Sequence, residues 1–314
     1  MRHWGATQWL LTSLLILAGC QSRLPMHCPP SCNNVDLSNK DLRDIDLKNA
    51  QFYDANLRKT VLTGAFLQDS DLSGAIMIDA SLEGANLSRA VLISTNFNRA
   101  SLEKAIFTDA NLKGANLTSA NLSSATFTGA KISGTSFSEA QMIGVNMDTM
   151  SLTGLNMLSA NISNASFKGS DLRGSYLSGV IGRGSLFSGA NLSGVQMNQA
   201  MLASSDFSSA DLSGVALYAA NLTGANLTKT NLSGSILVGA DFAGADLRGA
   251  ILSGAQLVAK GFSESVLFDP LLSTNNALTT AALRKDANFC GAIYDGKTIW
   301  PDGYTVPACA VLGS

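Results

Sequence analysis

The 314-residue chain carries 21 Lys and Arg against 23 Asp and Glu, a net charge of −2, and only 14% of its residues are charged. Charge this sparse and this balanced gives neither the basic stripe of a nucleic-acid binder nor a strongly acidic surface. The histidines are His3 and His27 alone, so histidine-dependent acid–base or triad chemistry has no residue to work with beyond the first part of the chain.

The chain opens with Arg2 and His3, an apolar run from Trp9 to Ala18, and a break at Leu17-Ala18-Gly19-Cys20. A charged start, a short apolar stretch and small residues before a break have the form of a secretory signal. The run is too short to span a bilayer comfortably. Its last four residues resemble the lipobox of bacterial lipoproteins. That resemblance implies a signal peptide over 1–19, cleavage before Cys20, diacylglycerol on the Cys20 sulfur and an acylated new amino terminus. Two or more acyl chains anchor a protein stably where one does not. Gln21 follows in place of Asp, which in a diderm bacterium implies the outer membrane, facing the periplasm. Residues 20–34, with Pro25, Pro29 and Pro30, read as a short lipidated tether.

From Leu37 to Leu267 every fifth residue is Leu, Phe, Met or Ile, Gly182 being the one exception, and nothing shifts the frame. The residue two before each is small and most often Ala, as in Ala110-Asn111-Leu112-Lys113-Gly114. A period of five fits neither a helix nor a strand, so residues 35–268 are a repeat array. The pattern resembles the pentapeptide repeat family. The resemblance implies an all-β solenoid, a right-handed quadrilateral β-helix in which four five-residue units make one square coil. Positions i and i−2 then face inward. Stacking at twenty-residue spacing places Leu112, Ile132, Leu152 and Leu172 in one column, and Phe107, Phe127, Phe167, Phe187 and Phe207 in most of another. At about 4.8 Å per layer, roughly eleven to twelve coils make a rod about 55 Å long. A lone coil cannot offset the entropy of ordering it, and stacking on neighbours stabilises it. Two irregularities are expected. Gly182 leaves a gap between Ile162 and Leu202, into which Val180, Ile181 or Leu186 would swing. Over Met142–Met157, Val145, Met150 and Leu155 stand where small residues are usual.

Cys28, Cys32, Cys290 and Cys309 lie at the two ends of this array. Ends roughly 50 Å apart on the same layer spacing cannot be bridged, and an exported chain meets oxidising conditions. Cys290 is therefore expected to pair with Cys309, while Cys28 and Cys32 either pair or stay free. A metal at Cys28-x-x-x-Cys32 would have only His27 nearby and no fourth ligand, so neither a metal nor a cofactor is expected. Residues 269–314 read as a helix/loop cap. Asn275 or Asn276 starts a short helix ending near Lys285, and a loop bearing Trp300 packs on the last coil.

Asp36, Asp71, Asp171, Asp211 and Asp246 occupy the slot before the core residue. That repeat position explains them better than a carboxylate pair for hydrolysis does, and no catalytic residue is expected. The function expected is that of a lipid-anchored solenoid of the bacterial cell envelope, acting as a non-catalytic protein-binding or structural scaffold. Its partners would be the membrane, through lipid on Cys20, and an envelope protein or a second copy. The alternative is a carbohydrate-binding or enzyme-associated solenoid, for which Tyr53, Tyr176 and Tyr218 are the only tyrosines in the repeats. Some members of the family imitate DNA and protect topoisomerases with a strongly acidic rod; the balanced charge here argues against that role, and no nucleic-acid partner is expected. Folded into four sides, the register gathers Ile76, Ile78, Leu158, Tyr176, Tyr218, Ile236, Val238 and Val258 on one side. A contiguous apolar strip marks an interface, and Tyr176, Tyr218, Ile236, Val238 and Val258 are its candidate residues.

Overall fold

The computed structural model describes residues 24, 25, 27–258 and 286–313. The expected signal peptide, Cys20 and the helix ending near Lys285 lie outside the described residues, as do Phe262 and Leu267 of the register.

The repeat array folds as a four-sided parallel β-stack. Each residue before a core position pairs with its equivalent twenty residues on, as in Asp36↔Asn56, Asp41↔Val61, Asp46↔Phe66 and Gln51↔Asp71, one step on each of four ladders. Each side is a single bridge wide because the chain turns every five residues. Every fifth residue from Asn34 to Gly254 has positive φ, and the carbonyl of the core residue accepts from the amide three residues on, as Leu72 does from Ala75 at 3.0 Å. Positive φ at the third residue of such a turn is the type II pattern, which is why Gly, Asn, Asp and Ser recur at that corner. Asn or Asp before the core residue accepts from the amide two residues on, as in Ser193 N to Asn191 Oδ1 at 3.1 Å and Thr223 N to Asn221 Oδ1 at 3.0 Å. This Asx turn gives the polar slot a structural role. Where Asn stacks above Asp, the amide also donates to the carboxylate one coil below, as Asn226 does to Asp206 at 2.9 Å.

The inside is as expected. Leu112, Ile132, Leu152 and Leu172 are all buried. Phe107 stacks on Phe127 with ring centroids 5.0 Å apart, and Phe167, Phe187 and Phe207 stack in turn at 5.0 and 4.8 Å. Thr or Ser in the small inward slot satisfies its hydroxyl on a core carbonyl, as Thr60 does on Leu37 O at 2.9 Å.

Gly182 departs from expectation. The ladder runs through it unbroken, with Asn161↔Ile181↔Met201 paired and Gly182 N bonded to Met201 O at 2.8 Å. Ile181 stays exposed and Val180 keeps its inward slot. Leu202 and Ile162 close the gap from either side. A Cβ on Gly182 would lie 3.0 Å from one and 3.1 Å from the other. Ser185 and Ser205 also both bond the Gly182 carbonyl, at 2.6 and 2.8 Å.

Both ends differ from the boundaries drawn on sequence. The ladder begins at Ser31, paired with Gln51, and Cys32 fills a core position; Cys32 is bonded to Cys28. At the other end Ala287 N bonds Leu257 O at 2.8 Å, so Ala287 stands where residue 260 would. Ala287-Asn288-Phe289-Cys290-Gly291 and Ala292-Ile293-Tyr294 then continue the stack. Asn288 pairs with Asp241 and Ile293 with Asp246, and Phe289 stacks on Phe242 at 4.9 Å. Beyond them Trp300 meets Phe289 edge-on at 5.1 Å and stacks against Tyr304 at 5.6 Å, closing the coil with aromatic rings. The Cys290–Cys309 disulfide and the parallel pair β1 (Ile293–Tyr294) and β2 (Val311–Leu312) hold this lid in place. Among the described residues there is no helix.

Candidate binding cleft

The sequence-predicted strip does not form. Tyr218 and Val238 are fully buried, at 0% exposure, while Tyr176 and Val258 are each 42% exposed. Ile236 is half-buried, as are Ile76, Ile78 and Leu158. Ser178, Asn198, Tyr218 and Val238 share one corner column and all four are buried. On the adjacent ladder Tyr176 and Ile236 are separated by Gln196 and Ala216. What remains is isolated exposed residues, and these are ordinary on any surface.

The stack has an opening elsewhere. Lys131 and Ser151 are the one step among the described residues at which no bridge forms between coils. Pairing holds on either side, at Thr126↔Asn146 and Ser136↔Asn156. At the Lys131/Ser151 step the backbone bonds that the register calls for are missing: from Gly129, Ile132 and Gly134 upward, and from Ser151 downward. Between the lips is a cleft of about 530 Å³, lined by residues 128–133 below and by 146 and 148–151 above.

The cause lies in the inward slot. Ala130 and Met150 occupy equivalent positions one coil apart, and both are only partly buried, whereas Ala in this slot is elsewhere sealed inside, as at Ala110 and Ala190. Met is too long for a slot shaped for Ala, and Val145 and Leu155, both buried, thicken the same coil on either side. Inserting extra methylenes into a close-packed core forces backbone shifts; here the coil lifts. Thr149 on the upper lip has φ 58° and is the only β-branched residue at a left-handed corner among the described residues. Such a conformation is disfavoured for a branched side chain, and strain of this kind gathers at functional positions. Sequence reasoning placed an irregularity over Met142–Met157, but not an opening. Periodicity shows which slot is overfilled, not how the neighbouring coil yields.

The cleft offers polar binding groups. Lys131 stands on the lower lip without an ion-pair partner among the described residues. Asp148, on the upper lip, accepts from Ser166 Oγ at 2.5 Å and from Lys168 N at 2.8 Å. The hydroxyls of Thr128, Ser133 and Ser151 also line the cleft. Several other charges on the rod are paired locally. Arg89 forms a two-pronged pair with Asp69 one coil below, at 2.7 Å on each prong. That pairing holds the Asp69 carboxyl below the usual range and the guanidinium above its own. Arg99 does the same for Asp79, and Arg173 for Asp171 within one turn. Pairs this exposed contribute little stability.

The family model for pentapeptide repeats matches eight times, over residues 31–64, 50–89, 70–109, 85–123, 120–154, 140–179, 183–217 and 217–254. The chain is a pentapeptide repeat protein. Among solved pentapeptide repeat structures, HetL, described as involved in heterocyst differentiation regulation in the cyanobacterium Nostoc sp. strain PCC 7120, is 24% identical. The match covers 82% of this chain and 96% of that one, with a TM-score of 0.39. A trypsin-treated form of QnrB1, a plasmid-mediated fluoroquinolone resistance protein, is 22% identical over 56% of this chain and 88% of its own, with a TM-score of 0.45. A pentapeptide repeat protein of the Arabidopsis thaliana thylakoid lumen is 30% identical over 35% of this chain and 66% of its own, with a TM-score of 0.15. No curated protein matches the sequence. The relatives' described roles differ widely, and a shared fold does not choose among them.

Proposed function

We propose that this pentapeptide repeat protein is a lipid-anchored, non-catalytic binding scaffold of the bacterial envelope. The observation that carries the reading is the cleft between Lys131 and Ser151: a stack closed by ladders, with one unbridged step among the described residues, lined by polar side chains. Two features support the location. Leu17-Ala18-Gly19-Cys20 has the lipobox pattern, and bonded cysteines at both ends of the rod suit an oxidising compartment. The carbohydrate reading finds no support of this kind. Tyr53 and Tyr176 are exposed but Tyr53 lies at a turn and Tyr176 on a ladder, several coils apart, so they form no joint platform for a sugar.

The test is crosslinking in intact cells with tagged full-length chain, beside Cys20→Ser. The expected outcome is palmitate labelling and a defined crosslinked protein for the unaltered chain, with labelling abolished by the substitution. Labelling that survives in Cys20→Ser removes the anchor from the account. Retention on a glycan array with no crosslinked protein removes the scaffold.

A further inference from the structure

Along the two lips of the cleft, backbone groups at the Lys131/Ser151 step have no partner in the ladder. The lower coil presents amides at Gly129, Ile132 and Gly134 with no coil bonded above them. In the register, the carbonyl of Ala130 would accept from Ser151, and that bond is also missing. The upper lip carries the complementary set. Each lip is therefore a short open ladder edge with donors and acceptors alternating, the arrangement that templates another strand. Ile132 is buried while Gly129, Gly134 and Ser151 are exposed; leaving a buried donor without a partner is costly, so an occupant that accepts from the Ile132 amide is favoured over an empty gap.

We propose that the cleft takes an extended peptide segment of a partner protein, which joins the stack as an interposed strand between the coils of Lys131 and Ser151. This rests on the scaffold reading above and names its partner class. The chemistry selects a peptide backbone over other occupants. Only an extended main chain offers donors and acceptors on both of its edges at the ladder repeat, and in strand addition these main-chain bonds supply the affinity while side-chain pockets supply selectivity. The volume, about 530 Å³, is in the range of about 300–1,000 Å³ typical of ligand sites. The core residues Phe127, Ile132, Met147 and Leu152 remain buried on either side, so the interior has no vacancy for a large side chain. The inserted strand must therefore turn a small residue inward, beside Ala130 and Met150. On its outward side a carboxylate would meet Lys131 and a cation would meet Asp148.

The probe is a library of random linear heptapeptides displayed on phage, selected on the full-length chain in detergent. The strongest selected peptide is then synthesised both with ordinary and with N-methylated backbone. Met150→Ala restores the usual small residue, so it keeps the fold while letting the coil settle back onto Ala130. The expected result is binding to the unaltered chain that falls by about tenfold or more in Met150→Ala. N-methylation should lower binding as much, because it removes main-chain donors and leaves the side chains. Equal binding to Met150→Ala, or binding that survives N-methylation, would overturn strand insertion. So would failure of every peptide to bind. If in any of these cases the crosslinked envelope partner persists, the scaffold reading stands and its contact lies elsewhere on the rod.

Discussion

Leu152→Asp is expected to open the stack around its own coil and lower stability by at least about 5 kcal/mol. Leu152 is fully buried in a column with Ile132 and Leu172. Truncating a buried Leu alone costs about 2–5 kcal/mol, and an unpaired buried carboxylate adds several more. The neighbouring Thr153→Asp should stay within about 0.5 kcal/mol of the unaltered chain, because that side chain faces water. Thermal melts followed by far-UV circular dichroism separate the two substitutions. Equal melting of both would mean that the inward and outward positions have been assigned wrongly.

The second large effect is at the C-terminal closure. Phe289 is 1% exposed. It stacks on Phe242 below and meets Trp300 and Tyr304 above. Phe289→Ala should cost about 3–5 kcal/mol. In a stack whose units contact only their neighbours, that loss is felt as fraying of the terminal coils before the rest opens. Trp4 and Trp9 precede Cys20, so in a chain cleaved there Trp300 is the sole fluorophore of its kind. Its emission should shift to the red and become open to acrylamide at temperatures where the repeat signal persists. Unchanged Trp300 emission would show that the lid does not depend on Phe289.

The five-residue register was enough to place nearly the whole interior, because each core residue is specified by its own position and its neighbours at twenty. The corner conformation was less legible. Arg89 and Lys104 adopt the same left-handed turn as Gly114, since ladder bonds on either side impose it where composition alone would not. The last two repeats escaped the register because they resume out of phase at Ala287 after leaving it at Leu257, although Ala287-Asn288-Phe289-Cys290-Gly291 has the repeat's own pattern. Tyr218 and Val238 looked exposed because outward slots were assumed to face solvent. Their column is buried, and a five-residue period carries no record of that. The cleft was half legible. Met150 in a slot for Ala announced a misfit, whereas its resolution as a break between Lys131 and Ser151 depends on which of several coils moves.

Native hydrogen exchange read by mass spectrometry tests the interrupted ladder most directly. The amides of Gly129, Ile132, Gly134 and Ser151 should exchange quickly, while the same positions one coil below and one coil above, bonded to their neighbours, stay protected. Uniform protection from residue 100 through residue 180 would contradict the account, since a continuous ladder has no cleft and no open edge for a partner to join.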